Sequence, residues 1–133
     1  MNTYPLSVAS LLLALVAYLY ATIAVGRGRA KYKVAAPATT GHPDFDRIFR
    51  AHQNTVEQFV FFVPLLGLAA MLWGDHIAAL YGLIWSVGRF LYVVTYAQAA
   101  EKRSIGFFLS GVLSMIVLLA LIVTWAMIIV GGH

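Results

Sequence analysis

The sequence has 133 residues, of which 62% are hydrophobic and only 11% are charged. This composition excludes a disordered chain. It also argues against a soluble globular domain, because an average soluble domain is about one quarter charged and a small soluble protein needs a polar surface. It argues instead for a membrane protein of one domain, residues 1–133. The net charge is +4, but the sequence has no interleaved basic and aromatic residues of the kind that form a single-strand-binding surface. We therefore predict no nucleic-acid partner.

Four apolar stretches are each long enough to cross a bilayer, which takes about 20 residues. The first covers residues 6–25 and holds no charge, and the second covers 48–73 with a polar N-terminal third. The third covers 77–100, and the fourth, also without charge, covers 105–130. Because the second and third connections are short, neighbouring helices must run antiparallel, and we predict an all-α, four-helix up-down bundle.

The connecting segments carry most of the basic residues and set the predicted orientation. The first connection, residues 26–47, and the third, residues 101–104, lie on one side and hold every Lys and Arg outside the spans. The positive-inside rule places both connections in the cytoplasm and both termini outside it. We interpret Arg27, Lys31 and Lys33 as contacts for anionic membrane lipid. A bacterial inner membrane fits this compact chain, with the endoplasmic reticulum as the alternative.

Two of the predicted spans carry polar side chains at helical spacing, although a charge at the bilayer centre costs about 2.5–3.5 kcal/mol on insertion scales. In the second span Arg50, Asn54 and Glu57 share a helix face, and Gln53 borders it. A second stripe, on the third span and the turn after it, comprises Arg89, Tyr92, Tyr96 and Arg103. Such charges call for a partner or a function.

The depth of the charged residues within the membrane indicates which of them can pair. At 1.5 Å per residue, Glu57 and Arg89 both lie roughly 15 Å from the cytoplasmic surface, so we predict a structural ion pair between them. Ligand contact is the alternative for Glu57. The other stripe residues are mostly hydrogen-bond donors, which suits a ligand that carries carboxylates and enters from the cytoplasm. The four histidines are scattered, so we predict no metal site.

The segment 50–57, RAHQNTVE, resembles the RAxxNxxE signature of the MAPEG family, the membrane-associated proteins of eicosanoid and glutathione metabolism. The preceding residues 39–47 and the spacing of the second stripe are similar to that family too, so the resemblance covers about residues 29–103. It implies a homotrimer of four-helix subunits that binds glutathione between neighbouring subunits at the cytoplasmic leaflet.

The resemblance also implies roles for individual residues. Arg103 matches the arginine that activates the glutathione thiol and is the expected catalytic residue. His52 matches a position that contacts glutathione from the adjacent subunit in some members. Gln58 departs from the tyrosine of eicosanoid-forming members, a difference that bears on the electrophile more than on glutathione. The residues expected to bind glutathione are Arg29, Arg50, Gln53, Asn54, Glu57, Tyr92 and Tyr96.

The predicted function is a membrane-bound glutathione transferase, with glutathione-dependent peroxidase activity as a second capacity. Because the sequence contains no cysteine, the reacting thiol must come from glutathione as co-substrate. Its expected targets are hydrophobic electrophiles or lipid hydroperoxides in the bilayer, which is a detoxification role. Two alternatives stay open: a non-catalytic membrane protein that binds lipid or glutathione, and a small multidrug exporter, although the exporter class typically needs a glutamate in the first helix.

Overall fold

The computed structural model describes residues 3–132, and these form helices joined by short connections. Helix α1 spans Pro5–Tyr32, α2 spans Pro43–Trp73, α3 spans Asp75–Gln98 and α4 spans Ala100–Gly131. All four are long and apolar enough to cross a membrane. The predicted all-α class is therefore confirmed for the described residues, together with four helices of the length and composition that a membrane span needs.

The first connection is shorter than the sequence predicts. Helix α1 continues past Val25 to Tyr32, and α2 already begins at Pro43, so the connection covers residues 33–42 instead of 26–47. The extension has a physical reason. Arg and Lys are good helix formers, and their charge interacts favourably with the helix C-terminus. The apolar stretch therefore ends before helix α1 does.

The start of α2 is fixed by several N-terminal signals. Pro43 occupies the first helical turn, where its missing N–H costs nothing. The Nδ1 atom of His42 accepts a hydrogen bond from the backbone N–H of Asp44 at 3.2 Å. Asp44 and Asp46 place negative charge in the first turn, which the helix dipole favours. These signals lie before the apolar stretch, so α2 starts earlier than the stretch does.

The N-terminus of α1 is tied to the start of α3 by one carboxylate. Asp75 accepts hydrogen bonds from the backbone N–H groups of Leu6 at 3.0 Å and Ser7 at 2.8 Å. The free N–H groups and dipole of a helix N-terminus favour such an anion. Helices α1 and α3 therefore begin at the same end of the bundle and run parallel. Their C-terminal ends, where the basic residues lie, also share one end.

The main apolar core lies in the half of the bundle that contains this Asp75 end. The rings of Phe62 and Trp85 stack at 3.9 Å between centroids, and Phe59 meets Trp85 edge-on at 5.0 Å. Stacked and edge-on aromatic pairs add to the stabilisation that burial alone supplies. The polar residues of the two predicted stripes lie mostly towards the opposite end.

Two glycines let α3 and α4 pack with their backbones in contact. A Cβ atom on Gly106 would lie 2.5 Å from the backbone nitrogen of Tyr92, and one on Gly88 would lie 2.6 Å from the Cβ of Leu109. Such distances leave no room for a side chain. Helix α4 begins with a 3₁₀ turn, Ala100–Arg103, and this close packing holds that turn against the end of α3.

Candidate functional site

A polar cavity of about 300 Å³ lies between α2, α3 and the beginning of α4. Its walls come from three helices, and all but one of its lining residues belong to the two predicted stripes. The lining residues are Arg50, Asn54, Tyr92, Tyr96, Arg103 and Phe107. The helical packing therefore brings the two stripes together around one volume, close to the cytoplasmic end that the sequence predicts.

The cavity is rich in positive charge and hydrogen-bond donors. The guanidinium carbon of Arg103 lies 5.4 Å from the centroid of the Tyr96 ring. The rings of Tyr92 and Tyr96 lie 5.4 Å apart and form one wall. Arg50 stands on the opposite helix with about half of its side chain exposed. Two guanidinium groups facing one volume suit an anionic ligand, since the planar fork matches a carboxylate.

The predicted ion pair between Glu57 and Arg89 is wrong. An oxygen of Glu57 lies 3.5 Å from Nη1 of Arg50, and 49% of its side chain is exposed. Equal depth does not make Glu57 and Arg89 meet, because the direction of a side chain also depends on rotation about the helix axis. Glu57 follows Asn54 by three residues and therefore points about 60° away from it. Asn54 is thus the residue of this stripe that faces α3.

Arg89 is held by neutral groups instead. It is completely buried, and Nη1 donates to Oδ1 of Asn54 at 2.8 Å. Its Nε donates to the hydroxyl of Ser110 on α4 at 3.0 Å. Ser110 is not among the predicted site residues. The signal that could have identified it is its four-residue spacing from Ser114 in an otherwise apolar span, which puts both hydroxyls on one face.

Arg29 lies outside the cavity of its own chain. Its Nη1 donates to the carbonyl oxygens of Ala38 at 2.7 Å and Val34 at 3.3 Å. Its guanidinium carbon also lies 5.1 Å from the centroid of the Phe45 ring. These contacts hold the connection between α1 and α2 in place. Within one chain Arg29 therefore organises this connection and does not line the polar cavity.

Two further predicted residues are also outside the cavity. Gln53 is exposed, and its Oε1 lies 3.4 Å from Nη1 of Arg50. His52 points to α1, with Nε2 3.2 Å from the hydroxyl of Thr22. Neither side chain reaches the cavity of its own chain.

Phe107 is the lining residue that we did not predict. It follows Arg103 by one helical turn, so both project from the same face of α4. Arg103 and Phe107 also line a second, more open cavity of about 600 Å³, together with Phe108 and the 3₁₀ turn. Arg103 thus stands where a polar volume meets a partly aromatic one. Among residues 3–132, no group of three His, Asp or Glu side chains is placed to hold a metal ion.

Comparison with known proteins gives a consistent result. The MAPEG family model matches residues 7–130. An uncharacterised protein of Synechocystis sp. is 52% identical over 104 residues, or 78% of this chain and 76% of that protein. Human microsomal glutathione S-transferase 2 is 44% identical over 117 residues, covering 83% and 80%. Bovine leukotriene C4 synthase is 36% identical over 92 residues, covering 69% and 61%. The resemblance seen in the signature segment is confirmed, and the chain belongs to the MAPEG family.

Proposed function

We propose that this protein is a membrane-bound glutathione transferase that ionises the glutathione thiol for attack on lipophilic electrophiles. The observation that carries the proposal is the cavity between α2, α3 and α4, where two arginines, two tyrosines and an asparagine surround about 300 Å³. That volume is at the lower end of the range for small-molecule sites. The similarity to a microsomal glutathione S-transferase supports the same reaction class.

The charges of glutathione match the groups around the cavity. Glutathione carries two carboxylates, one ammonium group and a thiol. Arg50 is placed to bind a carboxylate, and Glu57, 3.5 Å from Arg50, is placed to accept the ammonium group beside it. Tyr92, Tyr96 and Asn54 supply neutral hydrogen bonds. A ligand held in this way would present its thiol to the remaining cation, Arg103.

Arg103 supplies the electrostatic part of the reaction. A free thiol has a pKa near 8.5, so only a few per cent is ionised at neutral pH. A guanidinium beside the sulfur favours the thiolate, and the proton leaves to solvent. The thiolate then forms a carbon–sulfur bond with the electrophile. The electron pair of the broken bond goes to the leaving group, or to the oxygen when an epoxide ring opens. Phe107 and the second cavity extend from Arg103 and give an apolar approach for that electrophile.

The same thiolate would give the protein a peroxidase capacity. Attack on a lipid hydroperoxide breaks the oxygen–oxygen bond, releases the alcohol and leaves glutathione sulfenic acid. A second glutathione reduces the sulfenic acid to the disulfide and water. All electrons come from glutathione, so the protein needs no metal and no cysteine of its own.

A homotrimer with the cytoplasmic leaflet around the site completes the proposal. Arg50 and Glu57 are about half exposed in a single chain, although α2 is a membrane-spanning helix. Charges facing lipid at such a depth are costly, so a neighbouring copy that covers this face would remove the cost. The same neighbour would bring its Arg29, His52 and Gln53 near the cavity. We further propose that the chain lies in a bacterial inner membrane, with its basic end in the cytoplasm.

The trimer can be tested by stoichiometry. Native mass spectrometry of the detergent-solubilised protein is expected to show three chains per particle. Glu57→Leu removes a charge from the covered face. A change in the number of chains per particle in this variant would show that the face is the interface. A particle of one or two chains that still conjugates glutathione would contradict the shared site.

Arg50→Ala is expected to weaken glutathione binding and to leave the chemical step nearly unchanged. A hydrogen bond to a charged group is worth about 1.5–3 kcal/mol, so KM for glutathione should rise roughly 10- to 150-fold with little change in kcat. Arg27→Ala is the matched control, since Arg27 is exposed on α1 and lines a groove away from the cavity. Equal effects of the two variants would argue against a specific role for Arg50.

A further inference from the structure

We propose that Arg89 is a positioning residue of this site, which fixes the amide of Asn54 as a donor and holds a buried positive charge behind Tyr92. The inference rests on the proposed glutathione function and deepens it. Asn54 and Tyr92 line the cavity directly, whereas Arg89 acts through them. The consequence is a cavity that prefers anionic groups even before Arg50 and Arg103 contribute.

The surroundings of Arg89 are unusual for a buried charge. Arg89 is 0% exposed, yet among the described residues no Asp or Glu oxygen lies within 4 Å of it. Its Nη2 is buried without a hydrogen-bond partner in residues 3–132. Buried charges are normally paired, and an apolar side chain commonly serves a purely structural role at least as well. A buried guanidinium without a carboxylate therefore keeps its charge available to whatever lies beside it.

The contact with Asn54 decides which way the amide faces. A guanidinium has only donors, so the 2.8 Å contact from Nη1 requires the carbonyl oxygen of Asn54 as acceptor. The amide nitrogen of Asn54 must then point the other way, and it lies 3.5 Å from Glu57 Oε2. With one N–H near Glu57, the second N–H of the Asn54 amide is left to donate to a carboxylate or carbonyl of the ligand.

The charge itself lies directly behind the cavity wall. The guanidinium carbon of Arg89 is 4.1 Å from the centroid of the Tyr92 ring, whose residue lines the cavity. A cation over a ring face is attracted by the ring and is weakly screened in a buried setting. The field therefore extends through the wall into the volume where glutathione is proposed to bind.

Helix α4 holds the guanidinium from the far side. Nε of Arg89 donates to the Ser110 hydroxyl, which in turn donates to the carbonyl oxygen of Gly106 at 2.7 Å. Ser110 lies in a π-helical turn, Phe108–Val112, a local geometry that is frequent at functional sites. Both anchors of the guanidinium are neutral, so they fix its position without cancelling its charge.

The experiment separates the charge of Arg89 from its hydrogen bond. Arg89→Gln keeps an amide donor and removes the charge, whereas Arg89→Lys keeps the charge and loses the planar fork. For Arg89→Gln we expect about tenfold weaker glutathione binding and a conjugation pH profile shifted to higher pH. For Arg89→Lys we expect weaker binding with the wild-type pH profile. Ser86→Ala, a buried serine on the same helix away from the cavity, controls for disturbance of α3.

A second pair of variants covers the case in which Arg89→Gln does not fold. Asn54→Asp places a carboxylate against Arg89 and neutralises it, whereas Asn54→Ala removes the donor and keeps the charge. Both should weaken glutathione binding, but only Asn54→Asp should move the pH profile upward. Identical pH profiles for wild type, Arg89→Gln and Asn54→Asp would overturn the role inferred for Arg89 and leave the proposed function standing. A wild-type protein that neither binds nor ionises glutathione would overturn the proposed function as well.

Discussion

Replacing Arg103 by alanine is expected to lower the thiolate fraction of bound glutathione at pH 7 by about 25-fold. A thiol with a pKa of about 8.5 is roughly 3% ionised at that pH, and a pKa of about 6.5 would make it about three quarters ionised. A shift of two units corresponds to about 2.7 kcal/mol of preferential thiolate stabilisation. One guanidinium about 4 Å from the sulfur can supply that amount at an effective dielectric constant near 20.

The sign of the pH dependence follows from the charge of the thiolate. Arg103 stabilises the ionised form only, so its removal raises the pH at which the bound thiol ionises. Conjugation by the Arg103→Ala variant should therefore recover as the pH rises and approach wild-type activity above about pH 9. Arg103→Lys should lie between the two, because it keeps the charge but not the fork.

Two outcomes would contradict this role for Arg103. A thiolate fraction that is unchanged in Arg103→Ala would move thiol activation to another residue. Glutathione binding without any thiolate in the wild-type protein would favour the alternative of a non-catalytic binding protein. Calorimetric titration with glutathione, carried out on both proteins at one pH, separates a loss of binding from a loss of ionisation.

Gly106→Ala is expected to separate α3 from α4 and to disable the site. The new Cβ would lie 2.5 Å from the backbone nitrogen of Tyr92 and 2.7 Å from the carbonyl oxygen of Gly88. Backbone atoms cannot turn away as a side chain does, and overpacking of this kind typically costs about 1–3 kcal/mol. Because Arg103 stands at the start of α4, a displacement of about 1 Å can also reduce activity by roughly 10²-fold.

Gly67→Ala is the matched control for that substitution. Gly67 lies inside α2, and a Cβ there would meet nothing within 4 Å. Alanine in a helix interior is favoured over glycine by about 1 kcal/mol, so this variant should be at least as stable as wild type. Thermal unfolding in detergent and conjugation of a model electrophile measure both effects. Similar losses in the two variants would show that the α3–α4 contact is not the cause.

The fold was largely accessible from the sequence, whereas helix ends were not. Apolar length alone identifies the four membrane-spanning helices, since a bilayer sets that length. The same criterion misses the extension of α1 to Tyr32 and the early start of α2 at Pro43. Those ends depend on local signals, such as the capping by His42, that hydropathy does not register.

Helical periodicity predicted most of the residues that line the cavity, but it did not predict the contacts between their side chains. The two stripes predicted Arg50, Asn54, Tyr92, Tyr96 and Arg103 as neighbours, and these five line one volume. Equal depth suggested that Glu57 pairs with Arg89, but depth leaves rotation about the helix axis undetermined. The partners of Arg89 depend on the π-helical turn that aims Ser110 at it, and no periodic pattern shows such a turn.

The most direct test of the account is the ultraviolet absorbance of the thiolate when the purified wild-type protein is mixed with glutathione at pH 7. The account predicts a thiolate band that grows with glutathione, saturates as the cavity fills, and is about 25-fold weaker in Arg103→Ala at the same occupancy. Saturated glutathione binding with no thiolate band in the wild-type protein would contradict it.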